Sequence, residues 1–71
     1  MASLAWRPAS SHIGQVDFDE STDTLTIEFT DGRTYDYLNV PAQVARQFQA
    51  AGSAGQFFHR HIRGRYAEEE Q

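Results

Sequence analysis

Residues 24–30 alternate without a break: Leu25, Ile27 and Phe29 are separated by Thr24, Thr26, Glu28 and Thr30. A period of two places the apolar set on one face of a strand and the polar set on the other. Asp31-Gly32 follows at once, so the strand must turn back on itself. The length of that turn decides what the next strand buries. A two-residue loop would pair Ile27 with Asp36 and set a carboxylate on the apolar face, where an unpaired charge is costly. A three-residue loop, Thr30-Asp31-Gly32, is a type I turn with Gly32 in the left-handed position. It pairs Ile27 with Tyr35 and Leu25 with Tyr37, and it turns Asp36 to water. A one-residue slip moves every side chain to the other face, so the three-residue loop is the expectation.

The remaining elements fall around this hairpin. Ser11–Asp19 reads as the preceding strand, with Val16 and Phe18 on one face. Ile13 is out of phase, and a bulge at Gly14 brings it back to the apolar side. Asp19-Glu20-Ser21-Thr22-Asp23 is the connecting turn. The third strand runs from Arg33 to Leu38. Pro41 suits the first turn of a helix reaching about Ala51, with Val44, Ala45 and Phe48 as its apolar stripe. Gly52 stops it, and Ser53 with Gln56 fits a capping box for a second helix that Gly64 ends. Phe57, Phe58, His61 and Ile62 share one side of that helix. The expected architecture is therefore α+β, in the order β-β-β-α-α: a three-stranded antiparallel meander covered on one face by two helices. The expected core is Val16, Phe18, Leu25, Ile27, Phe29, Tyr35, Tyr37, Val44, Phe48, Phe57 and Ile62. Residues 1–9 read as a flexible lead in which Trp6 either frays or folds back. Residues 10–66 form the domain, and residues 67–71 read as a disordered acidic tail.

At 71 residues the chain has room for one domain. It has no cysteine, which excludes disulfides and thiolate metal sites and points to a reducing, cytoplasmic setting. No apolar run reaches the roughly 20 residues of a membrane span, and Met1 to Pro8 has no leader-like stretch. The net charge of −4 is unevenly distributed. Residues 17–36 hold Asp17, Asp19, Glu20, Asp23, Glu28, Asp31 and Asp36 against one base, Arg33, whereas residues 37–66 hold Arg46, Arg60, Arg63 and Arg65 and no acid. There is no lysine, which excludes Schiff-base chemistry.

The ordered landmarks are Ser10-Ser11, Leu25-x-Ile27-x-Phe29, Asp31-Gly32, Tyr35-Asp36-Tyr37, Val40-Pro41, Ser53-x-Gly55, Phe57-Phe58, Ile62-Arg63 and Tyr66. Together, over about residues 10–66, they resemble the KTSC domain, a family found at the C-terminus of some lysyl-tRNA synthetases and as free-standing small bacterial proteins. Tyr35 and Tyr37 match the family's Tyr-x-Tyr, and by register they belong to the core. His59 departs from the pattern, which commonly has Asn after the aromatic pair. The resemblance implies RNA handling by association with a tRNA enzyme, and no established activity.

The residues themselves offer no catalytic constellation. His59 and His61 are two apart on a helix and point in different directions, so they do not form the i, i+4 pair of a helical metal site. No catalytic residue, metal or cofactor is expected. The expected function is a small non-catalytic binding module, with weak, phosphate-led RNA or tRNA binding through Arg46, Arg60, Arg63 and Arg65. Ser53 and Gly55 add the free N–H groups of a helix N-terminus. The alternative is a protein-interaction or self-associating module that uses the open sheet face or an edge, as a monomer or weak homodimer.

Overall fold

The structure, a computed structural model, describes residues 3–71. Its elements in chain order are β1 (Ser3–Trp6), β2 (Ile13–Asp19), β3 (Thr24–Phe29), β4 (Thr34–Tyr37), α1 (Ala42–Ala50), α2 (Ala54–His61) and β5 (Glu68–Glu70). All five strands form one antiparallel sheet in sequence order.

The hairpin obeys the turn argument. Phe29 N–H donates to the Arg33 carbonyl at 2.8 Å, and Gly32 N–H donates to the Phe29 carbonyl at 3.0 Å. Thr30, Asp31 and Gly32 are therefore the loop. Gly32 takes φ +96°, a conformation open to glycine at little cost. The Asp31 Oδ1 accepts from Arg33 N–H at 3.0 Å and braces the turn. Leu25 then faces Tyr37, and Ile27 faces Tyr35. The ladder between β2 and β3 shifts register between Ile13 and Gln15, which carries Ile13 into the core. Ser10 Oγ opens β2 by accepting from His12 N–H and Ile13 N–H.

Two expectations are corrected. Of the supposed flexible lead, residues 1 and 2 lie outside the described residues, but Ser3–Trp6 pairs with β2 from Ser3↔Asp19 to Trp6↔Val16. Leu4 and Trp6 fall on the apolar face by alternation, and the Trp6 ring meets Phe48 edge-on at 5.7 Å. The supposed disordered tail is β5, paired with β4 from Tyr37↔Glu68 to Tyr35↔Glu70. Backbone pairing draws it in: the pattern of three glutamates has no apolar side, but Leu38 N–H donates to the Ala67 carbonyl and Gln71 N–H to the Thr34 carbonyl. Among the described residues the sheet thus has five strands rather than three.

The helices are shorter than the pattern implied. Pro41 caps α1 from outside in an extended conformation, and its carbonyl accepts from Val44 and Ala45. Ser53 caps α2, its Oγ accepting from Gln56 N–H at 3.3 Å. That helix ends at His61, with Ile62 as its cap, ahead of Gly64. The core comprises Ile13, Val16, Phe18, Leu25, Ile27, Tyr37, Val40, Ala45, Phe48, Ala54, Phe58 and Ile62. Phe58 is buried and Phe57 only half-buried, stacked on Phe48 with 5.4 Å between ring centroids. Phe29, Tyr35 and Val44, expected inside, pack against the core but stay half-exposed.

Candidate functional site

Period two sets Arg33, Tyr35 and Tyr37 on one face of β4 and its lead-in, and the hairpin register adds Phe29. From above, Phe58 of α2 crosses Tyr37 at 5.6 Å and Phe29 at 5.5 Å, both edge-to-face. Phe29 meets Tyr35 edge-on at 5.9 Å, and Tyr35 lies 6.4 Å from Tyr37. Because α2 stops at His61, Arg63 leaves the helix and drops beside these rings, with its N–H bonded to the Phe58 carbonyl at 2.9 Å. The result is a groove of about 260 Å3 lined by Phe29, Asp31, Arg33, Tyr35, Tyr37, Phe58, Arg63 and Glu68.

The groove is graded. At its inner end the Tyr37 ring is 2% exposed, and at its outer end Tyr35 is half-exposed. Burial of the ring, and then the Glu68 carboxylate beside its hydroxyl, push the Tyr37 phenol well above its ordinary pKa; Arg63 opposes weakly. Tyr37 is therefore a neutral hydroxyl across the whole range of ordinary conditions. Arg33 and Arg63 supply guanidinium donors, and Asp31 and Glu68 supply acceptors. Aromatic faces beside guanidinium groups suit a planar, anionic ligand.

The six residues expected to bind phosphate do not converge. Arg63 is the one that enters the groove. Arg46 is exposed on α1 and faces Glu20 of the β2–β3 turn at 3.7 Å. Ser53 and Arg60 share a separate, shallow hollow with Gln56, Phe57 and His61, and the Ser53 hydroxyl is engaged by Gln56. Gly55 lies in the first turn of α2, where an added Cβ would touch nothing. Arg65 is exposed in the turn after α2. Arg60 and Arg63 do not continue one helical face, because α2 ends between them. Sequence reasoning missed Arg33, Phe29, Phe58 and Glu68. The signal for Arg33 was present, since it stands two and four residues before the tyrosine pair. Glu68 had none, because an all-glutamate strand shows no alternation.

His59 is exposed against Phe58, and His61 is exposed with its ring 4.7 Å from that of Phe57. Among the described residues, no group of three or more His, Asp or Glu is placed to hold a metal. No helix among them is long and apolar enough to cross a membrane. The uncovered face of the sheet carries Asp17, Thr26, Asp36 and Glu69 in one cross-strand row. Asp36 Oδ1 accepts from Thr26 Oγ1 at 2.6 Å and from Gln71 Nε2 at 2.8 Å.

Fold and groove together define a small α+β module with a half-open aromatic site. A family model described as the KTSC domain matches residues 9–66, and the chain belongs to that family. It is 38% identical over 64 residues to a lysine–tRNA ligase of Trichormus variabilis and 39% identical over 64 residues to one of Nostoc punctiforme. Each match covers 90% of this chain and 11% of the ligase, so the chain spans about a tenth of the length of these relatives. It is also similar to a KTSC domain protein from Yersinia pestis in a crystal structure, with a TM-score of 0.89, 32% identity and 99% of each chain covered.

Proposed function

We propose that this KTSC domain is a non-catalytic module that binds single-stranded RNA, including unpaired segments of tRNA, in the Tyr35 groove. The observation that carries the reading is the joining of four aromatic rings to Arg33 and Arg63 in one half-open groove. Single-strand binders combine aromatic faces for bases with guanidinium groups for phosphates. The similarity to tRNA ligases supports the same class of ligand. This moves the contact from the second helix, as the charge pattern implied, to the groove between α2 and β4. Arg33 and Arg63 hold phosphates, and Tyr35 presents the accessible ring.

Salt-titrated binding of the full chain to tRNA and to a short single-stranded oligonucleotide tests this. Arg63→Ala and Arg33→Ala should each reduce the salt slope by about one and weaken binding of all sequences alike. Tyr35→Ala should remove one stacking contact, worth about 1–3 kcal/mol. Arg46→Ala, in which the altered side chain pairs with Glu20 elsewhere, should change neither. Absence of binding at low ionic strength, or binding indifferent to Arg63 and Tyr35, sinks the reading.

A second reading concerns self-association. The two sheet edges differ: β5 is Glu68-Glu69-Glu70, whereas β1 is Ser3-Leu4-Ala5-Trp6, with no charge and no proline. Charged residues blunt an edge against pairing, and β1 has no such protection. A twofold dimer through β1 follows from this contrast. Sedimentation at rising concentration checks it, and a monomer throughout removes it.

A further inference from the structure

Strand β5 is an unusual strand to retain. Its three side chains are all carboxylates and all exposed. Glu69 stands directly opposite Asp36, a like-charge pairing that weakens a ladder. The ion pairs among the described residues are Arg33–Asp31 and Arg46–Glu20, so no guanidinium lies within ion-pair distance of these three carboxylates. The side chains divide by face. Glu68 is opposite Tyr37 and Glu70 opposite Tyr35, and opposed residues of an antiparallel pair project to the same side. Two negative charges therefore flank the tyrosine pair, and one of them, Glu68, lines the groove together with Arg63. Glu69 carries the same charge on the same strand but points to the uncovered face.

We propose that Glu68 and Glu70 form an anionic gate on the RNA groove: their charge, standing beside the tyrosine rings, holds down affinity for a polyanion that the rings and guanidinium groups would otherwise bind more tightly. This rests on the RNA reading above. The gate acts at short range. A phosphate held by Arg63 meets a carboxylate within the same groove, and a base stacking on Tyr35 brings its own phosphate past Glu70. Whatever neutralises the two carboxylates, such as a basic segment laid along β5, opens the site without moving the backbone.

The test compares full-length wild type, the double variant E68Q/E70Q, and E69Q for binding of a labelled short oligouridylate at low and high salt. Glutamine keeps the size and the hydrogen-bond acceptor but removes the charge. The double variant should bind about fivefold more tightly at low salt, the scale of two exposed charge interactions, and the gain should collapse at high salt. E69Q should match wild type. Amide exchange at Leu38 and Gln71, whose N–H groups bond Ala67 and Thr34, reports whether β5 stays in place. Tighter binding with both amides still protected establishes the gate. Tighter binding only with their protection lost overturns it in favour of strand displacement. An equal gain in E69Q also overturns it, since the effect would then be general charge. Wild-type binding left unchanged by E68Q/E70Q refutes the gate and leaves the RNA reading standing. No binding by any of the three removes the RNA reading and the gate together.

Discussion

One face of the sheet has two ends that share an origin and differ in outcome. At one end Val16, Phe18, Leu25 and Ile27 lie against Phe48 and Ile62, all at 1% exposure or less. At the other, Phe29 and Tyr35 continue the same period-two pattern but remain half-exposed, and Arg33 beyond them is exposed. The alternation is equally regular in both places. What differs is the cover. Trp6 from β1 and Phe48 from α1 close the first end, whereas α2 gives out at His61 and leaves only Phe58 over the second. An alternating strand thus specifies which side chains face inward, and the helix above specifies which of them see no water. In a chain this small, the rings left uncovered are the surface available for a ligand.

Truncating one ring at each end should have opposite effects. Phe18→Ala empties a fully buried position and should cost about 3–5 kcal/mol, a large share of the stability of a 71-residue domain. Its effect on groove affinity, measured where the variant remains folded, should be nil. Tyr35→Ala should do the reverse, with a small change in the denaturation midpoint and a clear loss of RNA binding. Urea titration read beside oligonucleotide binding separates the two. Equal stability losses would mean that Tyr35 is a core residue and the groove is closed.

Much of this was legible in the sequence, and the reasons are local. The hairpin register follows from a choice between two turns, one of which buries Asp36. The Gly14 bulge follows from Ile13 being out of phase. The Ser53 cap follows from residue spacing. What escaped depended on partners distant in sequence. Ser3–Trp6 becomes a strand because β2 offers a free edge, and Glu68–Glu70 because β4 does; neither segment advertises itself. The site was half-legible for the same reason. Arg33, Tyr35 and Tyr37 share a face by counting. The entry of Arg63 in place of Arg60 depended on where α2 stops, which is at His61 with the buried Ile62 as its cap, two residues ahead of Gly64.

The inner end of the groove makes a prediction of intermediate size. Burial and the Glu68 carboxylate raise the folded-state pKa of Tyr37 above its usual value near 10. The native state therefore holds its proton more tightly than the unfolded chain does. The associated stability is fully present below pH 10 and is lost as pH rises from there towards the raised value. While only the unfolded chain has released this proton, stability should fall by about 1.4 kcal/mol per pH unit. Tyr37→Phe should flatten the alkaline limb of the stability profile. Matching alkaline limbs in wild type and Tyr37→Phe would show that the hydroxyl is not held as described.

The smallest effect lies outside the groove. Arg46 and Glu20 approach to 3.7 Å, with the Arg46 side chain 61% exposed and that of Glu20 26% exposed. A pair so open to water gains little Coulomb energy and loses side-chain freedom, so Arg46→Ala should cost less than about 0.5 kcal/mol. It removes a positive charge just as Arg63→Ala does, and the net charge of the two variants is the same. If affinity for RNA followed net charge, the two would weaken binding equally. If it follows the groove, Arg63→Ala alone will lower the salt slope and Arg46→Ala will titrate like wild type. The pair therefore tests whether position or total charge governs the interaction, at almost no cost in stability on the Arg46 side.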